Sequence, residues 1–178
     1  MKETKETTKI LKLVIVTTFA AVLYDIRNDN EIINFFTYEV ILISLFFILF
    51  PMLLRALKVE KLQKKYKGKT IQQIDNMSGE EFEQYLLAMF LGNGYKAIDT
   101  PKTNDFGADL VVEKNGVRTV IQAKRYKNTV GNSAIQEVIG AKSYYKADKC
   151  MVITNSFFSQ NAHILAKAND VELWDRYT

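Results

Sequence analysis

The feature that most constrains this chain is an apolar run over residues 32–54, in which Glu39 is the only charged residue. Its 23 residues exceed the roughly 20 that a helix needs to cross the apolar core of a membrane. Aromatic residues crowd its first end, as they do at membrane interfaces, and Pro51 lies near the other end, where a lost backbone hydrogen bond is easily replaced. The alternative is a buried helix of a large soluble core, but no other segment looks able to surround it. We therefore predict a transmembrane helix at about residues 33–55.

A shorter apolar run precedes it. Residues 13–24 are uncharged, and extension back to residue 10 makes about 22 Å of helix against a membrane core of about 30 Å. Lys12 would then have to reach toward the membrane surface. A signal peptide is the alternative, although the run lacks a clean small-x-small cleavage site. We favour a short spanning helix at about residues 10–26, which gives a membrane region over residues 1–57.

The positive charge of the chain lies in its first part. Residues 1–70 contain 12 Lys and Arg against 7 Asp and Glu, whereas residues 71–178 contain 12 against 13. The basic pI of about 9.0 is therefore no evidence that the C-terminal part binds nucleic acid.

The distribution of basic residues predicts the orientation in the membrane. A basic stretch follows the second apolar run, whereas the segment between the two runs carries one Arg against three acidic residues. The positive-inside rule places this stretch, and residues 58–178 with it, in the cytoplasm. We interpret residues 58–73 as a basic linker that also contacts anionic lipid; a patch that slides on DNA is the alternative. The basic residues are Arg55, Lys58, Lys61, Lys64, Lys65, Lys67 and Lys69.

Residues 74–178 have the pattern of a small α/β domain. Ser78 and Glu81 form a capping-box signature, and apolar residues at helical spacing follow until Gly92. A short strand is predicted at about residues 95–99, and a hairpin follows it. The remaining segments predict two further helices, each followed by a strand, so that the order of elements is α-β-β-β-α-β-α-β.

The hairpin fixes which residues face one another. Asn115-Gly116 between two apolar runs is typical of a two-residue type I′ turn. Paired residue numbers must then sum to 231, which places Asp109 directly opposite Gln122, and Lys124 shares their face of the sheet.

This face carries chemistry at the end away from the turn. Carboxylate and amide oxygens suit a hard divalent cation, and a lysine can orient an attacking water or neutralise phosphate charge. Gly107, opposite Lys124, is expected to leave room for a phosphate. The alternative is a solvated strand face, but both strands are too apolar for a freely exposed edge.

Several ordered motifs together resemble the Mrr-type restriction endonucleases, a branch of the PD-(D/E)xK nuclease superfamily. The resemblance covers roughly residues 74–178 and implies a mixed sheet flanked by helices. Its motifs are Phe82-Glu83, Gly94-Tyr95, Gly107-Ala108-Asp109, Gln122-Ala123-Lys124, the strand and helix start "VITNSFFSQNA" and the closing strand "VELWDR".

The resemblance implies Mg²⁺-dependent cleavage of DNA. Asp109 would be a metal ligand, Gln122 would stand where the superfamily usually has a carboxylate, and Lys124 would be the catalytic lysine. Glu83 would reach in from the first helix as a further metal ligand. The predicted phosphate contacts are Arg125, Lys127 and Lys102. We do not expect the DNA-reading domain that is common in this family, because the predicted membrane segments occupy its place.

Other candidate residues have simpler explanations. Glu80 and Glu81 are rivals of Glu83, but their place in the first helical turn explains both. His163 is predicted to be a surface or packing residue, and Trp174 a core residue rather than a platform for bases. Cys150 is predicted to be a buried small hydrophobe, and as the single cysteine it excludes an intrachain disulfide.

These features predict a membrane-anchored DNA endonuclease that faces the cytoplasm and acts in restriction or defence. A homodimer is expected, because cleavage of both strands by one type of site usually needs two protomers. One alternative is a catalytically weak protein of the same fold that tethers DNA to the membrane. Another is a membrane protein whose C-terminal domain binds protein and needs no metal.

Overall fold

The structure, a computed structural model, describes residues 16, 17, 20, 24, 31–98 and 106–178, with backbone only at 31–37 and 98. The predicted first span at residues 10–26 therefore lies outside the described residues except at four positions, and Lys102 lies outside them entirely. The chain divides into two compact units, Met1–Lys58 and Val59–Thr178.

A long helix, α1 (Glu31–Tyr66), contains the second apolar run and carries Pro51 in its interior. The stretch Tyr38–Tyr66 is long and apolar enough to cross a membrane, and none of its most apolar window is buried. It is the one such helix among the described residues.

Two short segments lead into the second unit. Helix α2 (Ile71–Asp75) begins with a capping box between Thr70 and Gln73, which the sequence analysis did not predict. Helix α3 (Gly79–Gly92) begins with the predicted capping box, since Ser78 and Glu81 exchange hydrogen bonds of 3.0 and 3.1 Å.

The rest of the unit follows the predicted order of elements. The strands and helices are β1 (Lys96–Ile98), β2 (Leu110–Lys114), β3 (Val117–Lys124), α4 (Asn132–Tyr144), β4 (Lys149–Thr154), α5 (Gln160–Ala168) and β5 (Val171–Trp174). Ser159 caps the start of helix α5, because its hydroxyl accepts a hydrogen bond from the Ala162 N–H.

The five strands form one mixed sheet in the order β1-β2-β3-β4-β5. Strands β1, β2 and β3 are antiparallel neighbours, whereas β3, β4 and β5 run parallel. Between β2 and β3 the pairs run from Lys114 with Val117 to Leu110 with Ile121. This register, in which partners sum to 231, confirms the hairpin prediction. The fold is the mixed α/β sheet with helices that the resemblance implied.

Helices cover both faces of the sheet. On one face, α4 and α5 pack on a core that includes Val111, Val120, Cys150 and Val152. On the other face, α3 and Tyr66 at the end of α1 pack on Leu110, Val112, Ile121, Met151 and Ile153. Because side chains alternate along β3, Gln122 and Lys124 belong to the face that α4 covers. Asp109 lies just before β2 and contacts the Gln122 side chain.

Candidate active site

Asp109 and Gln122 lie in contact at the end of the hairpin away from its turn. The Nε2 of Gln122 donates a hydrogen bond of 2.5 Å to the Oδ2 of Asp109. The backbone N–H of Ala123 donates a second hydrogen bond, of 2.7 Å, to the same oxygen. Two donors from β3 thus fix the orientation of the carboxylate.

The same contact fixes the orientation of the Gln122 amide. A carboxylate oxygen only accepts hydrogen bonds, so the NH₂ group must face Asp109 and the amide oxygen must point elsewhere. Gln122 is 4% exposed, and its Oε1 is buried without a hydrogen-bond partner in the described part of the chain. A buried oxygen without a donor costs free energy that a cation would recover, so this residue fits a metal site.

Lys124 continues the same face and reaches helix α4. Its Nζ lies 2.7 Å from Oε2 of Glu137, and the two side chains are 24% and 41% exposed. The structure therefore adds a carboxylate that the sequence analysis did not identify. The only advance signal was its position in the helix that follows β3, and that position does not reveal which residue faces the sheet.

Gly107 explains how α4 comes so close. Its φ is +85°, and a Cβ there would lie 2.6 Å from the backbone oxygen of Glu137. The predicted space for a phosphate beside Gly107 is thus wrong, because the backbone of α4 occupies it. The glycine serves the packing of this helix against the site.

We expect that Gly107→Ala will destabilise the domain more than Gly116→Ala. Both glycines have a positive φ, which costs an alanine about 1–2 kcal/mol, but nothing lies within 4 Å of a Cβ at Gly116. The overlap with Glu137 should add about 1–3 kcal/mol. Thermal unfolding followed by the fluorescence of Trp174, the only tryptophan, measures both losses. Equal losses would show that the close approach carries no cost.

Glu83 is carried by the opposite layer. It lies half-buried on α3, which packs on the sheet face away from Gln122 and Lys124. Its role as a metal ligand stays a prediction that requires its side chain to reach around the end of the sheet.

Two predicted DNA contacts follow β3 directly. Arg125 is half-buried and its Nε has no hydrogen-bond partner within the described residues, whereas Lys127 is exposed. Between them, the N–H of Tyr126 donates to Asn155 Oδ1 at 2.7 Å, and Asn155 Nδ2 donates to Asp75. This network fixes the course of the backbone just beyond Lys124.

The other candidate residues of the sequence, Glu81, Cys150, Trp174 and His163, have structural explanations. The hydrogen bond from the Ser78 N–H lowers the pKa of the Glu81 carboxyl, as expected of a capping residue. Burial raises the pKa of the Cys150 thiol, as expected of an inert core cysteine. Trp174 stacks on Phe90 with 5.9 Å between ring centroids, and exposed His163 lies edge-on to Phe158.

In the described part of the chain, no group of three His, Cys, Asp or Glu residues is placed to hold a metal ion. The amide oxygen of Gln122 is a further possible ligand beside these residue types.

Comparisons with known proteins place the domain in a family. No curated protein matches the chain significantly. A solved protein of unknown function, AF1548, shares 19% identity over 51% of this chain and 54% of its own, with a TM-score of 0.43. MspJI restriction endonuclease, solved in complex with a 27-mer oligonucleotide, shares 17% identity over 68% of this chain and 29% of its own, with a TM-score of 0.38. The chain thus spans about half, or less, of the length of these two proteins.

The family comparison covers more than half of the chain. Residues 74–178, which include the whole sheet and all of the site described above, match the Mrr_cat family, described as restriction endonuclease. The chain therefore belongs to the Mrr_cat restriction endonuclease family.

Proposed function

We propose that this protein is a membrane-anchored, Mg²⁺-dependent DNA endonuclease that faces the cytoplasm and acts in the restriction of foreign DNA. The observation that carries the proposal is the buried Gln122 Oε1 without a partner, held beside Asp109 and on the same face as Lys124. Family membership supports hydrolysis of DNA phosphodiesters by this domain.

The residues that would hold Mg²⁺ are Asp109, Gln122 and Glu83. When bound, the ion would activate a water and neutralise charge on the scissile phosphate. Asp109 cannot rotate freely, because Gln122 and Ala123 hold its Oδ2. Its position is therefore set before substrate arrives, as preorganised catalysis requires.

Lys124 would act on the phosphate itself. Its ammonium group carries three donors and a positive charge, so it can bind the attacking water or a phosphate oxygen. Charge that develops in the transition state is stabilised most by donors fixed in advance, and the contact with Glu137 holds Lys124 in this way.

Basic residues beyond β3 would bind the DNA backbone. Arg125 and Lys127 flank the site, and Lys102 is proposed as a third contact. Such contacts give affinity without sequence preference and weaken as salt concentration rises. A homodimer would bring two such sites to the two strands.

The membrane part of the proposal rests on α1 and the basic residues that follow the apolar run. We expect a cytoplasmic reporter enzyme fused after Thr178 to be active and a reporter that works only outside the membrane to be inactive, because the positive-inside rule retains the lysine-rich stretch. A fusion at residue 28, between the two apolar runs, is the matched control and should show the reverse. External activity at Thr178 would contradict access to cytoplasmic DNA.

Incubation of the purified protein in detergent with supercoiled plasmid, with Mg²⁺ or with EDTA, tests the activity. Nicked or linear plasmid should form only with Mg²⁺, and Asp109→Asn should not form it. If the wild-type protein binds DNA without Mg²⁺-dependent cleavage, the protein tethers DNA instead. The observation that favours this second function is that no three His, Cys, Asp or Glu residues of the described part are grouped to hold a metal.

A further inference from the structure

We propose that Glu137 is a carboxylate of the metal site on the same face of the sheet as Gln122 and Lys124, additional to Glu83 from the other layer. It takes the part that a carboxylate at position 122 would otherwise fill. This inference rests on the proposed function and adds to it a residue from helix α4. It follows from the charges on one face of the sheet, from the contact with Lys124 and from the packing of α4.

The charges on this face of the sheet require another anion. The charges of Asp109 and Lys124 cancel, and Gln122 is neutral, so these three residues together attract no dication. Glu83 would add one negative charge, but it would have to do so from the opposite layer of the sheet. Protein sites for Mg²⁺ usually provide one or two carboxylates. Asp109 also has one oxygen occupied by two N–H donors, which leaves it fewer lone pairs for a metal.

The Glu137 carboxylate brings a negative charge to this face of the sheet. Its Oε2 is 2.7 Å from Nζ of Lys124, which is two residues from Gln122 on the same side of β3. The Glu137 side chain is 41% exposed, so a hydrated cation can reach it. Gln122 supplies an independent sign of a ligand, because its buried Oε1 lacks a partner in the described part of the chain.

The packing of α4 places this carboxylate at the site. The Cβ of Glu137 lies 3.0 Å from the position that a Cβ on Gly107 would occupy, and Gly107 is two residues before Asp109. A larger residue at position 107 would push the helix, and Glu137 with it, away from the hairpin.

Binding of Mn²⁺ to the full-length protein in detergent, without DNA, tests the inference. The electron paramagnetic resonance signal of free Mn²⁺ gives the affinity and requires no catalytic activity. Glu137→Gln should weaken Mn²⁺ binding by about 10- to 100-fold. Loss of a residue that only hydrogen-bonds to a metal ligand already has an effect of this size, and loss of a ligand should have at least the same. The double variant Gln122→Glu/Glu137→Gln should return to within a few-fold of the wild type, because it restores the charge at the other position.

Two controls separate charge at the site from other effects. Glu113→Gln removes a carboxylate of similar exposure, paired with Arg118 at 3.2 Å on the same hairpin face near the turn, and should leave Mn²⁺ affinity unchanged. Lys124→Ala removes the ion-pair partner of Glu137 and should leave Mn²⁺ affinity equal or higher. The same loss in Lys124→Ala as in Glu137→Gln would overturn the inference, since Glu137 would then act only through the lysine.

The outcomes also separate this inference from the proposed function. If Asp109→Asn loses Mn²⁺ while Glu137→Gln binds it like the wild type, the inference about Glu137 is wrong and the metal site at Asp109 stands. If the wild type does not bind Mn²⁺, or Asp109→Asn binds it equally well, the proposed metal site is wrong and the inference is wrong with it.

Discussion

Replacement of Asp109 by asparagine is expected to abolish Mg²⁺-dependent cleavage while the domain stays folded. Oδ2 of Asp109 accepts both hydrogen bonds from β3, and the single carbonyl oxygen of asparagine can occupy that place and accept both. The other carboxylate oxygen becomes an NH₂ group, which cannot bind a cation. Cleavage should fall by at least about 10²–10³-fold, because the side chain loses both its charge and its ligand atom.

Alanine at the same position separates folding from chemistry. It leaves the Ala123 N–H and the buried Gln122 amide without their acceptor, at about 1–3 kcal/mol for each unsatisfied group. We therefore expect Asp109→Ala to lose both stability and cleavage, and Asp109→Asn to lose cleavage alone. Unfolding followed by Trp174 fluorescence and plasmid cleavage at matched Mg²⁺ concentration measure the two effects. Wild-type cleavage by Asp109→Asn would show that the metal lies elsewhere.

Local turn chemistry made the centre of the site predictable. Asn115-Gly116 permits one short hairpin geometry, and the pairing of β2 with β3 follows from it over five residue pairs. Because a strand alternates its faces, the register alone brought Asp109 beside Gln122 and set Lys124 on the same side. The start of α3 was equally local, since Ser78 and Glu81 satisfy backbone groups only three residues away.

Contacts between layers were not predictable from such patterns. The rotation of α4 about its axis decides that Glu137 faces Lys124, and this rotation depends on the packing of four buried apolar residues against the sheet. Gly107 was assigned the wrong purpose for the same reason, because its neighbour is 30 positions away in the sequence. Tyr66 joins the core from a lysine-rich stretch whose charged residues obscure any helical apolar period.

Lys124→Ala is expected to slow cleavage by about 10²-fold or more while the metal remains bound. The ion pair with Glu137 is partly solvated, so its loss should cost the fold no more than about 1 kcal/mol. The substitution removes a positive charge near the metal, which favours rather than opposes occupancy by a dication. The defect should therefore appear in the single-turnover rate constant at saturating Mg²⁺, and additional Mg²⁺ should not correct it.

The matched control for this prediction is Lys114→Ala. Lys114 lies at the turn end of the same hairpin, where its Nζ donates to the backbone oxygen of Asn93 and lies over the ring of Tyr95. The substitution Lys114→Ala removes the same charge from the domain, at a position far from the proposed site of the scissile phosphate. Single-turnover cleavage of a plasmid by both variants then shows whether the position of the lost charge matters, because the charge lost is the same. An equal single-turnover rate constant for Lys124→Ala and Lys114→Ala would mean that no phosphate reaches Lys124. The candidate site would then have to be abandoned even if Asp109 binds metal.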